Sequence, residues 1–359
     1  MALGKPPINL ALQGGGAHGA YTWGVLDRLL ELDCFAIEGV SGTSAGAMNA
    51  AALVDGFAKG GSPGARQALD NFWRQVAEAA HGSPLRNNPM TGWLTGDPWN
   101  LDGNPFYRLF DVVSRLFSPY ELNPLNHNPL RPVLEASLDL DNLNACRTIK
   151  LYVTATRVED GRPRVFTKGE ITVDALLASA CIPQLFQAVE IDGENYWDGG
   201  FMGNPVIWPL IYRCQSPDVL LVQINPLCRG KVPRRSIEII NRVNEITFNS
   251  SLIAELRAIS FVSKLVAAGQ LDGGNYKQMR IHLVEQPQAM AALNASSKLN
   301  ADWQFLCHLK ALGRSAADRW LADHRDAVGM RPSVDIDEVF LGRPSKASIS
   351  PTHPEKVSW

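Results

Sequence analysis

The sequence predicts an α/β protein with a parallel-rich central sheet sandwiched between helices. Three observations carry this. The chain opens βαβα: apolar runs at 8–12 and 35–40 each lead into a segment with helical spacing, 17–32 and 45–58. Further strand-like runs recur downstream at 151–156, 164–167 and 219–224. Beyond Pro226 the pattern turns helical, with apolar residues at helical spacing over 236–270 and 301–324.

The remaining elements follow in order. A glycine-rich break at 56–64 separates the second helix from a helical stretch at 65–80, whose stripe is Leu69, Phe72, Trp73 and Val76. The segment 81–132 then changes character. It is rich in Pro, Asn, Trp and Phe, with short helical pieces near 105–117. Residues 173–180 read as a helix and 189–197 as an alternating stretch. The long stripe of 236–270 is Ile239, Val243, Ile246, Ile253, Leu256, Ile259, Val262 and Val266. A last strand falls at 280–284, and the helix at 301–324 carries Trp303, Leu306, Leu309 and Leu312. Residues 1–341 are expected to form one domain, because the C-terminal helices at 236–341 need the sheet to bury their stripes. The Pro/Ser/Lys-rich tail, 342–359, is expected to be flexible.

Composition bounds the function. In 359 residues, 45% hydrophobic and 19% charged, there is enough apolar material for a substantial core. A net charge of −2 gives no global reason to bind nucleic acid or anionic lipid. Six cysteines (Cys34, Cys146, Cys181, Cys214, Cys228 and Cys307) are scattered without a C-x-x-C, which predicts free thiols in a reducing compartment, with neither metal nor cofactor. The first residues run straight into the first strand, and no run of about 18 apolar residues occurs. The expected location is the cytoplasm, at most peripheral to a membrane; the oligomeric state is left open.

Two motifs carry the chemistry. Gly14-Gly15-Gly16-Ala17-His18-Gly19 follows the first strand, and Gly42-Thr43-Ser44-Ala45-Gly46 follows the second. In a G-x-S-x-G turn the serine sits on a sharp strand-to-helix bend that needs glycine on both sides, and the helix N-terminus beside it favours negative charge. Three consecutive glycines let the backbone curl and aim N–H groups at one spot, as an oxyanion requires. Taken alone, a G-x-S-x-G occurs by chance and a glycine triplet is more often a phosphate loop or a plain turn. One βα unit apart, they are the two halves of a serine hydrolase site. The expected nucleophile is Ser44, and the expected oxyanion donors are Gly14, Gly15, Gly16 and Ala45. A serine also needs a base. Tyr196-Trp197-Asp198-Gly199-Gly200 ends the alternating stretch. Asp198, beside two glycines, can either approach the serine closely or make an ordinary Asp-Gly turn.

With these residues in place the chain resembles the patatin-like phospholipase family. The matching positions are Gly14, Gly15, Gly16 and Gly19 in the glycine loop, Gly42 to Gly46 in the elbow, and Asp198-Gly199-Gly200 in the third block. The stretch Ala178-Ser179-Ala180-Cys181-Ile182-Pro183, continuing to Phe186, is similar to the family's segment ahead of its catalytic aspartate. The resemblance covers roughly 8–226. It implies a Ser–Asp dyad without histidine that hydrolyses acyl esters of lipids, with Ser44 as nucleophile and Asp198 as base. The chain departs from the family at His18, where many members carry Arg or Lys.

The residues agree with a dyad. Of the seven histidines, His18, His81, His127, His282, His308, His324 and His353, none has a recognisable catalytic context. An ordinary α/β-hydrolase reaches its elbow only after several strands and places a histidine late, whereas this elbow comes at residue 44. His282 reads as part of a strand face, and His308 and His324 as positions on amphipathic helices.

The segment 81–132 has two readings. Met90, Trp93, Leu94, Trp99, Leu101, Phe106, Leu109, Phe110, Leu116 and Phe117 are either a satellite core or a cap over Ser44 that forms an acyl pocket or touches a lipid surface. The sequence as a whole reads as a lipid acyl hydrolase working through an acyl-enzyme. An acyltransferase using the same intermediate and a non-catalytic lipid-binding protein are the alternatives.

Overall fold

The computed structural model describes residues 4–85, 98–230 and 232–343. Its centre is one eight-stranded sheet: β1 (Pro7–Leu12), β2 (Ala36–Thr43), β3 (Lys150–Arg157), β4 (Pro163–Phe166), β5 (Val189–Ile191), β6 (Glu194–Asp198), β7 (Asp218–Val222) and β8 (Arg280–Val284). The helices that matter below are α1 (Gly19–Leu32), α2 (Ala45–Ala79), α3 (Pro105–Leu116), α4 (Val173–Ser179), α5 (Ser236–Ala267) and α6 (Trp303–His324). Hydrogen-bonded neighbours run β5-β6-β3-β2-β1-β7-β8, with β4 also on β3. The pairs among β3, β2, β1, β7 and β8 are parallel; β4, β6 and β5 add an antiparallel end.

Both faces of the sheet are covered, which explains why its strands read as continuous apolar runs. Leu10 and Leu12 of β1 and Leu220 and Val222 of β7 join one buried cluster with residues of α1, α2 and α6. Ala11, Val219 and Leu221 join a second cluster with Leu252, Leu256 and Ile259 of α5. The alternation of residues between clusters is the period-2 geometry of a strand. The mostly parallel sheet between helices is the expected fold class. The expected break at 56–64 narrows to two residues: Gly60 and Gly61 leave helical dihedrals inside α2, and the helix resumes around Pro63. The alternating stretch at 189–197 is a hairpin, β5 to β6, turned at Asp192 and Gly193, both with positive φ.

Strand order places a crevice. The chain runs β1, β2, β3 in one direction across the sheet and then returns to the other side of β1 with β7 and β8. Between β1 and β7 the winding reverses, and ligands of open α/β sheets bind outside the carboxyl ends of the strands at such a point. The glycine loop leaves β1 there.

Register brings a third segment to the same place. Thr154 of β3 pairs with Thr43 on one side and Val165 on the other, while Ala155 pairs with Asp198 and Arg164. Since β4 occupies one edge of β3, β2 and β6 share the other edge, end to end. The residue after β2 is Ser44, and the last residue of β6 is Asp198.

Candidate active site

Ser44 stands at the junction of β2 and α2 with φ 53° and ψ −125°. A non-glycine residue at positive φ costs of order 1–3 kcal/mol, and such strain clusters at functional sites. The flanking glycines make the bend sterically feasible. A Cβ on Gly42 would lie 2.5 Å from the Gly46 carbonyl oxygen, and one on Gly46 would lie 2.1 Å from the Leu12 oxygen. Ser44 is half-buried, and its backbone N–H donates to Ser179 Oγ at 3.0 Å. Ser179, at the end of α4, donates in turn to the Thr154 carbonyl at 2.6 Å.

Asp198 is buried, at 2% exposure. Its carboxylate accepts the Gly200 N–H at 2.7 Å, and the Ser44 hydroxyl lies near enough to act on its pKa. Burial pushes its pKa up to about 6, against the Gly200 and Ser44 hydrogen bonds and the positive charge of Lys298. Gly199 and Gly200 begin a 3-10 turn that carries the chain away from the carboxylate. Thr43 Oγ1 donates to the Gly203 carbonyl and Ser41 Oγ to the Val206 carbonyl, at 2.8 and 2.5 Å, so the segment after Asp198 is stitched to β2.

The glycine loop is packed directly on the elbow. A Cβ on Gly14 would sit 2.7 Å from Ser44 Cβ. The Gly14 N–H donates to Asn204 Oδ1 at 2.6 Å. That bond corrects the sequence expectation for Gly14: its N–H is already used inside the fold and cannot face an oxyanion. The N–H groups of Gly15, Gly16 and Ala45 have no acceptor among the described residues. Gly16 and Ala45 each open a helical turn, where N–H groups lack intrahelical partners.

Several buried polar groups fix this arrangement, and the motifs did not announce them. Gln13 Oε1 accepts the N–H groups of Ile224 and Asn225 at 2.8 and 2.9 Å, tying the exit of β1 to that of β7. Gln13 Nε2 reaches the Asn204 carbonyl at 3.0 Å and Asn249 Oδ1 of α5 at 3.2 Å. Asn225 Nδ2 donates to the Gly14 carbonyl at 3.1 Å. Lys298 donates to Asn225 Oδ1 at 2.8 Å. Gln13 directly precedes the glycine triplet and Ser179 lies inside the stretch similar to the family's segment, so both had a local signal; Asn204, Asn225 and Lys298 had none. A cleft of about 1020 Å³ opens beside Lys298's neighbours Arg229 and Glu245, lined also by Asn100, Arg235, Arg242 and Asn294.

Three histidines are engaged elsewhere. Among the described residues no histidine is bonded to Ser44. His18 is buried, and its Nε2 meets Ser297 Oγ at 2.8 Å. Ser297 Oγ donates to the Asn294 carbonyl, so His18 Nε2 is the donor of that pair. Burial first, then the charges of Lys298 and Arg229, hold His18 well below its ordinary pKa and keep it neutral. His282 lies on β8 with Nε2 3.0 Å from Asp218 Oδ1, at the amino end of β7 and so at the opposite end of the sheet from the crevice. His308 stacks on Trp99 at 5.1 Å.

The segment 81–132 divides. Met90, Trp93 and Leu94 lie outside the described residues. Leu101 is fully buried, and Trp99 stacks on Phe305 of α6 at 5.2 Å, which is the satellite-core reading for this part. In α3 the reverse holds: Phe106, Leu109 and Leu116 are 60%, 63% and 71% exposed, and Phe117 just beyond is half exposed.

An α/β fold with a strained serine and an acid at the sheet's carboxyl edge defines a class in which lipid hydrolases are found. The family profile described as Patatin-like phospholipase matches residues 10–211, and the chain belongs to that family of lipid hydrolases. Among solved structures it is similar to VipD from Legionella pneumophila, with 14% identity, a TM-score of 0.38, and coverage of 86% of this chain and 67% of that one. It is similar also to the type III effector protein ExoU, with 17% identity, a TM-score of 0.37, and coverage of 89% and 53%. No curated protein matches the chain significantly.

Proposed function

We propose that the protein hydrolyses acyl esters of lipids through a Ser44–Asp198 dyad. The observation that carries this reading is the strained Ser44 meeting the buried carboxylate of Asp198, which is poised near pH 6. A base with a pKa near working pH combines ionisation with proton affinity, and an ordinary aspartate lies too low for that.

The steps follow from the atoms present. Ser44 Oγ attacks the ester carbonyl carbon while its proton passes to Asp198. The carbonyl oxygen becomes an oxyanion facing the N–H groups of Gly15, Gly16 and Ala45. Collapse breaks the ester C–O bond, the leaving alcohol takes the proton from Asp198, and the acyl group stays on Ser44. Water then attacks the acyl-enzyme, giving its proton to Asp198, and the fatty acid leaves as Ser44 recovers its proton.

Contact with a lipid surface is supported by the exposed apolar stripe of α3. Among the described residues no helix is long and apolar enough to cross a membrane. The test is turnover of a soluble acyl ester by Ser44→Ala and Asp198→Asn, with folding checked by circular dichroism. Both variants are expected to fold and lose turnover. A folded Asp198→Asn protein with wild-type turnover removes the dyad.

A further inference from the structure

The glycine loop carries no charge of its own, since His18 is held neutral. A cation that acts on Asp198 comes from far along the chain, Lys298. Lys298 lies in the 3-10 turn Ala295–Leu299, half-buried, with its ammonium turned inward onto the buried Asn225. Asn225 passes the contact on, donating to the Gly14 carbonyl at 3.1 Å. The backbone of the same turn also touches the loop, because a Cβ on Gly16 would lie 2.5 Å from the Lys298 carbonyl oxygen. Gly16 is therefore pressed against Lys298 from outside while Gly14 is tethered to it through Asn225.

We propose that Lys298 is a positioning residue for this site: through Asn225 it fixes the loop that presents the oxyanion donors, and it sets a positive charge behind that loop, one hydrogen-bonded side chain from Gly14. The proposal rests on the dyad reading above. Its charge is balanced locally. Lys298 faces Glu245 of α5, Arg229 after β7, Asp198 at the end of β6 and His18 before α1. Burial lowers the lysine's pKa, while the carboxylates of Glu245 and Asp198 raise it. Asp198 faces Lys298, the Ser44 hydroxyl and the Cys181 thiol, whose pKa burial and Asp198 push up to about 12. The lysine's effect on Asp198 has a definite sign: it favours the carboxylate and lowers the pKa. Removing the charge must raise that pKa, and the acid limb of the pH profile must move to higher pH.

Two uncharged variants separate charge from tether. Lys298→Met removes both. Glu245 keeps its ion pairs with Arg229 and Arg242, so no carboxylate is stranded. Lys298→Gln removes the charge and retains a donor for Asn225. The experiment is the pH dependence of kcat and KM on a soluble acyl ester for wild type, both variants and Asp198→Asn, with melting curves for each. In both lysine variants the acid limb is expected to move to higher pH. For Lys298→Met, kcat falls roughly tenfold or more at little change in KM, less than the 10²–10³-fold typical of losing a direct oxyanion donor. Lys298→Gln loses less kcat. Where only one variant folds, its acid limb decides. An unmoved limb in a folded variant overturns the proposal, as does failure of both variants to fold, which makes the lysine structural. Wild-type turnover by Asp198→Asn is a different result: it removes the dyad and leaves the lysine's tether to Gly14 as found.

Discussion

The carboxyl end of the sheet and helix α3 are opposite solutions to the same composition problem. At the sheet end, polar side chains are buried and bonded: Gln13, Asn204, Asn225 and Asp198 are each 2% exposed or less, and each has a partner inside the protein. Along α3, apolar side chains are exposed and only Tyr107 is buried. Buried polar groups cost stability unless satisfied, and exposed apolar groups forgo stability they could have gained. The first region is finished within the chain and fixes geometry. The second leaves apolar area open to solvent, which is the feature behind the lipid-surface contact proposed above.

The largest effects should fall on the finished region. Ser44→Ala and Asp198→Asn are each expected to lower kcat by at least roughly 10⁴-fold, and the double variant by little more, because groups acting as a unit are not additive. Multiplicative losses in the double variant would mean that the two residues act separately. Next comes Gly16→Ala, which meets both the Lys298 carbonyl and a backbone φ of +58°. Displacing the donors at Gly15 and Gly16 should cost roughly 10²–10³-fold in kcat on soluble esters. Near-normal kcat in a folded Gly16→Ala protein would take the loop out of the chemistry.

The pH behaviour sharpens the same contrast. Asp198 must be ionised to accept a proton, so kcat/KM should fall as pH drops through about 6. Single His→Ala changes at His18, His282 and His308 should keep that limb. Loss of the limb in one of them would point to a histidine base. The stability consequence runs the other way. The folded pKa of Asp198 is raised above its unfolded value of 3.8, so the folded state binds the proton more tightly. That stability is fully present below the unfolded pKa and is lost as pH rises through about 6. At pH 8 Asp198→Asn should therefore be more stable than wild type, by on the order of 1–3 kcal/mol, and melt at a higher temperature. A lower melting temperature at pH 8 and an equal loss at pH 5 would show that the carboxylate is structural.

The smallest effects belong to the unfinished region. Replacing Phe106, Leu109 and Leu116 with Ser should leave the melting temperature and soluble-ester turnover within about twofold of wild type, since exposed positions contribute little. Turnover of lipid presented in vesicles should fall by roughly tenfold or more, as buried apolar area on the lipid surface is lost. Trp99→Ser makes the counter-test: it removes a half-buried ring stacked on Phe305, so it should lower the melting temperature and affect both substrates alike. If the α3 variant behaves like Trp99→Ser, the two halves of this segment are one core after all.

What the sequence disclosed follows the same division. The βα units, the glycine loop, the elbow and the Asp-Gly-Gly block are local features, and local sterics dictate them: glycine at 42 and 46 is required by a bend five residues wide. The last strand was legible to the residue, 280–284, because Ile281, Leu283 and Val284 mark a short run bounded by polar residues. The meeting of Ser44 with Asp198 was not legible from spacing alone. It depends on β2 and β6 sharing one edge of β3, which is a fact of register. The tethers from Asn204, Asn225 and Lys298 were invisible for the same reason: each is an unremarkable polar residue in a turn until the sheet order brings it to the crevice. Gly14 shows the converse error, where a motif assigned a donor that a distant asparagine had already engaged.

The central claim is that one serine and one aspartate suffice, and a trapped acyl-enzyme tests it most directly. Mixing the protein with an activated acyl ester and quenching in acid should give an intact-mass increase equal to one acyl group, with peptide mapping locating it on Ser44. The adduct should be absent in Ser44→Ala, form far more slowly in Asp198→Asn, and form normally in His18→Ala. An adduct on another residue, or formation at the wild-type rate in folded Asp198→Asn, would contradict the account.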